Sequence, residues 1–143
     1  SKTLDLLSDK YIEFLPTFSH LLEDTLEILE YLQPRYQLHI ITNGFQEVQT
    51  TKMMNSKIFE YFSTITTSEE AGVKKPHPHI FDRALRKSKA LPKNSIMIGD
   101  NYAADIVGAK NAGLQTVFFD YYQKREVSES ITIQKLKELR GYL

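Results

Sequence analysis

Apolar residues along the chain alternate between helical and strand spacing. Those of the first sixteen residues, and those between Pro16 and Pro34, recur at helical intervals, so each segment is predicted to form a helix. Short apolar runs predict strands at 38–42, 63–67, 95–98 and 115–119. Helical spacing also predicts helices at 45–55, 80–85, 101–111 and 136–143, and a polar loop is predicted over 69–75.

Strands that are separated by single helices form a parallel sheet with right-handed crossovers. The predicted strands are short and apolar on both faces, which is typical of a sheet whose two sides are covered by helices. The pattern therefore predicts the α/β class. The length of 143 residues supports one compact domain.

Composition excludes several classes of function. The 18 basic residues balance the 18 acidic ones, so net charge gives no reason to expect a nucleic-acid polymer or an anionic membrane as partner. The chain has no cysteine, which excludes disulfides, Cys-ligated metals and a thiol nucleophile. Its apolar runs are much shorter than the roughly 18 residues that span a bilayer. We expect a cytoplasmic protein.

Candidate chemistry is expected where strands end, because ligands of open α/β sheets bind beyond the carboxyl ends of the strands. Thr42-Asn43-Gly44 follows a predicted strand, and its hydroxyl and backbone N–H groups can hold a phosphate. The alternative is a capped turn. Lys75 precedes Pro76 in a loop, where it either neutralises a phosphate or remains a solvated surface residue.

Asp100 and Asp105 form a possible metal site. Asp100 ends a predicted strand and Asp105 follows five positions later, so both carboxylates come near one helix start. Mg²⁺ takes one or two carboxylates together with waters and phosphate oxygens. The alternative is a helix cap at Asp100 with Asp105 on a polar face. His39, inside a predicted strand, is interpreted as a hydrogen-bonded core residue.

Three stretches follow one another along the chain: Ile-Ile-Thr-Asn-Gly at 40–44, Gly-Val-Lys-Lys-Pro-His-Pro-His-Ile-Phe at 72–81 and Ile-Gly-Asp-Asn-Tyr-Ala-Ala-Asp-Ile at 98–106. In this order they resemble the haloacid dehalogenase (HAD) superfamily of aspartate-nucleophile hydrolases. The run Gly-Ala-Lys-Asn-Ala-Gly at 108–113 also matches. The likeness is nearest to the phosphatase branch with a helical cap, in particular a nucleotidase subgroup. It implies a Rossmann-like core at 16–143 and the remnant of a cap at 1–15.

The resemblance also implies a reaction and the residues that serve it. The reaction is the Mg²⁺-dependent removal of phosphate from a small phosphorylated metabolite or nucleotide. Catalytic and substrate-binding roles would fall on Thr42, Asn43 and Lys75, and Gly44 would also bind substrate. Asp100 would ligate Mg²⁺, while Asp105 would bind the water shell of the metal or orient Lys75.

The chain departs from the family at the first motif, an apolar strand that ends in Asp-x-Asp-x-Thr. In the family the first Asp attacks phosphorus and the second acts as general acid and base. Asp5 and Asp9 are separated by Leu-Leu-Ser and do not fit this motif. By analogy the missing strand is the central one, between the strands that end near Thr42 and Asp100. Because buried backbone needs partners, we expect the gap to close by direct pairing or to be filled by another segment or chain.

The missing motif leads to three expectations: the chain alone is inactive, binds Mg²⁺ weakly, and self-associates through residues 1–15 or exposed sheet edges. Sedimentation as a monomer at high concentration would contradict the last of these. The alternatives are a non-catalytic HAD-fold module for binding or scaffolding, and a HAD dehalogenase or phosphomutase. An in-frame Asp-x-Asp-x-Thr about ninety to a hundred codons upstream of Ser1 favours the enzyme, and a start codon at Ser1 favours the module.

Overall fold

The computed structural model describes residues 3–5, 19–43, 58–120 and 131–143. Its helices and strands are β1 Thr3–Asp5, α1 Ser19–Leu32, β2 Gln37–Thr42, β3 Thr64–Thr67, α2 Ser68–Ala71, α3 Pro78–Ser88, β4 Ser95–Gly99, α4 Gly108–Asn111, β5 Gln115–Phe119 and β6 Ile131–Ile133. A π-helical segment, Tyr102–Val107, runs directly into α4. Short 3-10 helices form at Ile58–Tyr61, Pro92–Asn94 and Leu136–Gly141. The helix predicted at 45–55 lies outside the described residues.

The strands form one parallel sheet in the order β3-β2-β1-β4-β5-β6. The predicted α/β class is therefore confirmed. β3 and β6 are the outer strands of this sheet among the described residues. No helix in these described segments is long and apolar enough to cross a membrane.

The centre of the sheet is occupied by β1, which comes from the N-terminal segment of the chain itself. Leu4 of β1 pairs with Leu38 of β2 on one side and with Ile96 of β4 on the other. Of the expected ways to close the gap, filling by another segment is the one observed. Pairing on both sides gives hydrogen-bond partners to backbone groups of β2 and β4 that would otherwise line two interior edges.

The helix predicted over the first sixteen residues is wrong at Thr3–Asp5, which form a strand of the sheet. The helical spacing of apolar residues there is a local signal, and tertiary pairing between two strands overrides it. Residues 6–18 lie outside the described part of the chain.

Helices cover the two faces of the sheet, and each face has its own apolar core. One core joins α1 and the C-terminal 3-10 helix to the sheet through Ile28, Leu29, Leu32, Leu38, Ile40, Ile96, Ile98, Val117, Phe119, Ile133, Leu136 and Leu139. The other joins α3 and α4 to the sheet through Ile41, Ile80, Phe81, Ala84, Leu85, Met97, Ala109 and Leu114. Apolar residues of β2 and β4 point alternately into the two cores, which is why each strand contains consecutive apolar residues.

Three short elements differ from the sequence prediction. The loop predicted at 69–75 contains most of α2, whose first turn is capped by the Thr67 hydroxyl accepting from the Glu70 N–H at 3.1 Å. Gly72 ends α2 in the left-handed region at φ 77°, which favours glycine. β6 was not predicted, and the C-terminal helix is a 3-10 helix, Leu136–Gly141. α2 and β6 are too short for a periodic pattern to identify, whereas the C-terminal helix was predicted and differs only in being 3-10.

His39 is a buried, hydrogen-bonded core residue, as predicted. Its Nδ1 lies 2.7 Å from the Thr64 hydroxyl oxygen on the neighbouring strand. Burial disfavours the charged imidazolium and lowers the pKa of His39 from 6.5 to about 4. The folded chain therefore keeps His39 neutral at a pH where the unfolded chain protonates it.

We expect His39 to reduce stability by about 3 kcal/mol as the pH falls from 6.5 to about 4, because only the unfolded chain takes up the proton over that range. Urea unfolding at a series of pH values measures this. His39→Asn, which retains a polar group near Thr64 without titrating, is the matched variant. The same pH dependence in both proteins would show that His39 is not responsible.

Candidate active site at the carboxyl edge of the sheet

Thr42 and Asp100 lie at the same level of the sheet, on opposite sides of β1. Thr42 is the last residue of β2, and Asp100 directly follows β4. Both are three residues beyond the level at which Asp5 pairs with His39 and Met97. The strands that carry Thr42 and Asp100 are separated by two strand spacings, or about 10 Å. Groups at the ends of both strands can therefore lie close to a small anion bound between them.

Lys75 and Asp105 form a buried ion pair at this edge. Lys75 Nζ lies 2.6 Å from Asp105 Oδ1, and the two side chains are 3% and 0% exposed. The other carboxylate oxygen of Asp105 accepts a hydrogen bond from the Asn101 N–H at 3.1 Å. Hydrogen bonds on both oxygens fix the carboxylate, and the carboxylate in turn fixes the ammonium group.

Asn43 holds the backbone of Lys75 with both ends of its side-chain amide. The Lys75 N–H donates to Asn43 Oδ1 at 2.6 Å, and Asn43 Nδ2 donates to the Lys75 carbonyl at 3.3 Å. Ser68 Oγ donates to the backbone carbonyl of Asn43 at 2.8 Å. Hydrogen bonds thus connect the end of β2 through Lys75 and Asp105 to Asn101, the neighbour of Asp100.

Asp105 is accommodated because residue 99 is glycine. A Cβ atom on Gly99 would overlap both Oδ2 and Cβ of Asp105. Any side chain at residue 99 would therefore displace the carboxylate that holds Lys75.

We expect Gly99→Ala to lower the free energy of unfolding by about 1–3 kcal/mol, because the added methyl overpacks a filled site. Gly141→Ala is the matched control, since a Cβ there meets nothing within 4 Å. Urea unfolding of both variants gives the comparison. Equal effects of the two substitutions would contradict the close approach at Gly99.

The structure brings most of the sequence-predicted residues into one network. Asn43, Lys75 and Asp105 are connected by direct hydrogen bonds, and Thr42 and Asp100 each adjoin a member of the network. Gly44 lies outside the described residues. Sequence reasoning assigned no role to Ser68 or to the Asn101 N–H, although Ser68 stands where a predicted strand ends.

The carboxylates of Asp100 and Asp105 are both withdrawn from bulk solvent. Both oxygens of Asp105 are engaged, by the Lys75 ammonium and by the Asn101 N–H. Both carboxylate oxygens of Asp100 are shielded from bulk solvent. Within the ranges that the structure describes, no three His, Cys, Asp or Glu side chains are grouped so as to hold a metal ion.

Comparison with known proteins identifies several similar to this chain. Residues 2–119 match the family of haloacid dehalogenase-like hydrolases. The chain is 40% identical over 92 residues to a glyceraldehyde 3-phosphate phosphatase of Pyrococcus furiosus, covering 64% of this chain and 38% of that protein. It is 29% identical over 141 residues to the pyrimidine 5'-nucleotidase YjjG of Escherichia coli, covering 96% of this chain and 63% of that protein.

A solved structure is also similar over nearly the whole chain. The HAD-hydrolase YfnB of Bacillus subtilis, in a crystal structure bound to magnesium, has a TM-score of 0.80 and 31% identity to this chain. The similarity covers 94% of this chain and 60% of that one. The chain therefore spans less than two thirds of the length of each of these three proteins.

Proposed function

We propose, since this chain belongs to the haloacid dehalogenase-like hydrolase family, that it forms the phosphate-binding part of a phosphohydrolase. The observation that carries the proposal is the buried Lys75, which is held at the carboxyl edge of the sheet by Asn43 and Asp105. A fixed positive charge at this edge suits an anionic substrate. Similar proteins named as phosphatases and as a nucleotidase support a small phosphorylated metabolite or nucleotide as substrate.

Each of these residues has a distinct role in the proposal. The Thr42 hydroxyl and the Asn43 backbone N–H bind phosphoryl oxygens at the end of β2. Lys75 offsets the negative charge of the phosphoryl oxygens. Asp105 is a positioning residue, because its carboxylate holds the Lys75 ammonium in one place.

Asp100 fits a Mg²⁺ ion in this proposal. A carboxylate is a hard oxygen donor, and Mg²⁺ combines one or two carboxylates with waters and substrate oxygens. Bound Mg²⁺ would supply charge neutralisation at the phosphoryl oxygens. The magnesium-bound structure of YfnB supports this choice of metal. Because both oxygens of Asp105 are already engaged, we expect the chain alone to bind Mg²⁺ weakly.

The attacking carboxylate, in this proposal, comes from polypeptide outside this chain. The sequence contains no Asp-x-Asp-x-Thr motif. Asp5 of β1 is three residues short of the level of Thr42 and Asp100, or about 10 Å along the strand. The backbone position of Asp5 is therefore too far from the carboxyl edge for the role of nucleophile.

A non-catalytic HAD-fold binding module is the second candidate function. It is favoured by one observation, namely that the chain completes the centre of its own sheet with β1. A module of this kind would hold a phosphate group without cleaving its ester.

The sequence of the coding region upstream of Ser1 distinguishes the two candidates. An in-frame Asp-x-Asp-x-Thr supports the phosphohydrolase, and the longer polypeptide should then release phosphate from phosphate esters only when Mg²⁺ is present. Lys75→Met in that polypeptide should abolish most of the release. A start codon directly before the codon of Ser1 would overturn the proposal. A longer polypeptide that has the motif but lacks phosphatase activity would overturn it as well.

A further inference from the structure

Ser68 stands outside the proposed binding residues but is joined to them. It is buried at the first position of α2, directly after β3. The cap of α2 is made by the side chain of Thr67, which accepts from Glu70. The Ser68 hydroxyl instead crosses to the neighbouring strand end and donates to the Asn43 carbonyl at 2.8 Å.

Asn43 transmits this contact to Lys75. Its side-chain amide is a rigid plane that accepts from the Lys75 N–H at 2.6 Å and donates to the Lys75 carbonyl at 3.3 Å. A shift of the Asn43 backbone therefore moves the backbone of Lys75 as well. Asp105 restrains only the far end of the Lys75 side chain, at Nζ.

We propose that Ser68 is a positioning residue that fixes the Asn43 backbone and, through the Asn43 amide, the place of Lys75. With Asn43 at the backbone and Asp105 at Nζ, the flexible stem of Lys75 is held at both ends. Fixing the stem keeps the ammonium at one distance from the ends of β2 and β4. The expected effect of Ser68 on phosphate binding rests on the proposed function. Its expected effect on the position of Lys75 does not.

The test compares Ser68→Ala, which removes the hydroxyl, with Ser68→Thr, which keeps it. Ser95→Ala is the matched control, because buried Ser95 also donates to a backbone carbonyl at 2.8 Å, that of Leu91, at the opposite end of β4. Urea unfolding of all variants shows whether each is folded and how much global stability each one loses.

The first measurement is the acylation rate of Lys75 relative to exposed Lys74, resolved by mass spectrometry after treatment with an amine-reactive anhydride. A hydrogen bond of ordinary net strength corresponds to about a fivefold change, so Ser68→Ala should raise the Lys75-to-Lys74 ratio about fivefold. Ser68→Thr should restore the original ratio, and Ser95→Ala should leave it unchanged. An unchanged ratio in Ser68→Ala, or an equal rise in Ser95→Ala, would overturn the proposal.

The second measurement is the binding of inorganic phosphate to the same proteins by calorimetry. Ser68→Ala should bind phosphate about fivefold more weakly than the original chain, with rescue by Ser68→Thr. If the original chain binds no phosphate while the Lys75 ratio responds as expected, the positioning role of Ser68 stands and the proposed phosphate site fails. If phosphate binds but the Lys75 ratio never changes, the positioning role fails and the phosphate site stands.

Discussion

Hydrolysis of a chromogenic phosphate ester by this 143-residue chain is expected to be about a million-fold slower than by a longer polypeptide that supplies Asp-x-Asp-x-Thr. The physical reason is that a nucleophile acts as one unit with the groups that bind the transition state. In the proposed function Thr42 and Lys75 hold a phosphoryl group, but they do not form the covalent intermediate that divides the reaction into two easier steps.

Asp5→Asn is the control for this expectation. Because Asp5 pairs at the level of His39 and Met97, its replacement should leave the residual rate of the chain unchanged. The measurement is phosphate release with Mg²⁺ present, for the chain and for the variant. Release at the rate of an intact enzyme, or a large fall in Asp5→Asn, would show that the chain contains its own nucleophile.

The second large effect is expected at the buried ion pair. Asp105→Asn should lower the free energy of unfolding by about 3–5 kcal/mol, because it leaves the Lys75 ammonium buried without a countercharge. This is a large share of the roughly 5–15 kcal/mol that stabilises an ordinary domain. The effect is measured by urea unfolding at neutral pH.

Two comparisons make this prediction specific. Asp82→Asn removes an exposed pair with Arg86, at 3.2 Å, and should change stability by less than about 1 kcal/mol. The double variant Lys75→Met with Asp105→Leu should recover most of the loss, because no charge remains buried. A loss in Asp105→Asn no larger than that in Asp82→Asn would contradict the importance of the buried pair.

Strands β2 and β4 could be predicted from the sequence because nearly all of their residues are buried. β2, β4 and β5 appear as short apolar runs, and each is bounded by turn residues or helical patterns. The three motifs at 40–44, 72–81 and 98–106 also indicated the family correctly, as the match over residues 2–119 confirms. Local patterns are sufficient where the residues of an element itself carry the signal.

The remaining features depend on contacts between distant parts of the chain. β1 has three residues, and its position is set by backbone pairing with strands that begin more than thirty residues later. The ion pair between Lys75 and Asp105 likewise joins residues thirty positions apart. The need for glycine at residue 99 follows from the position of Asp105, which no local pattern indicates.

The most direct test asks whether Thr42, Lys75 and Asp100 surround one pocket. The isotope-labelled chain is titrated with inorganic phosphate and Mg²⁺, and its amide chemical shifts are recorded by NMR at each step. If they do, the amide signals at the end of β2, at Lys75 and after β4 will change together and saturate at a single phosphate concentration. Signals that saturate separately, or changes confined to other parts of the sheet, would contradict a shared pocket.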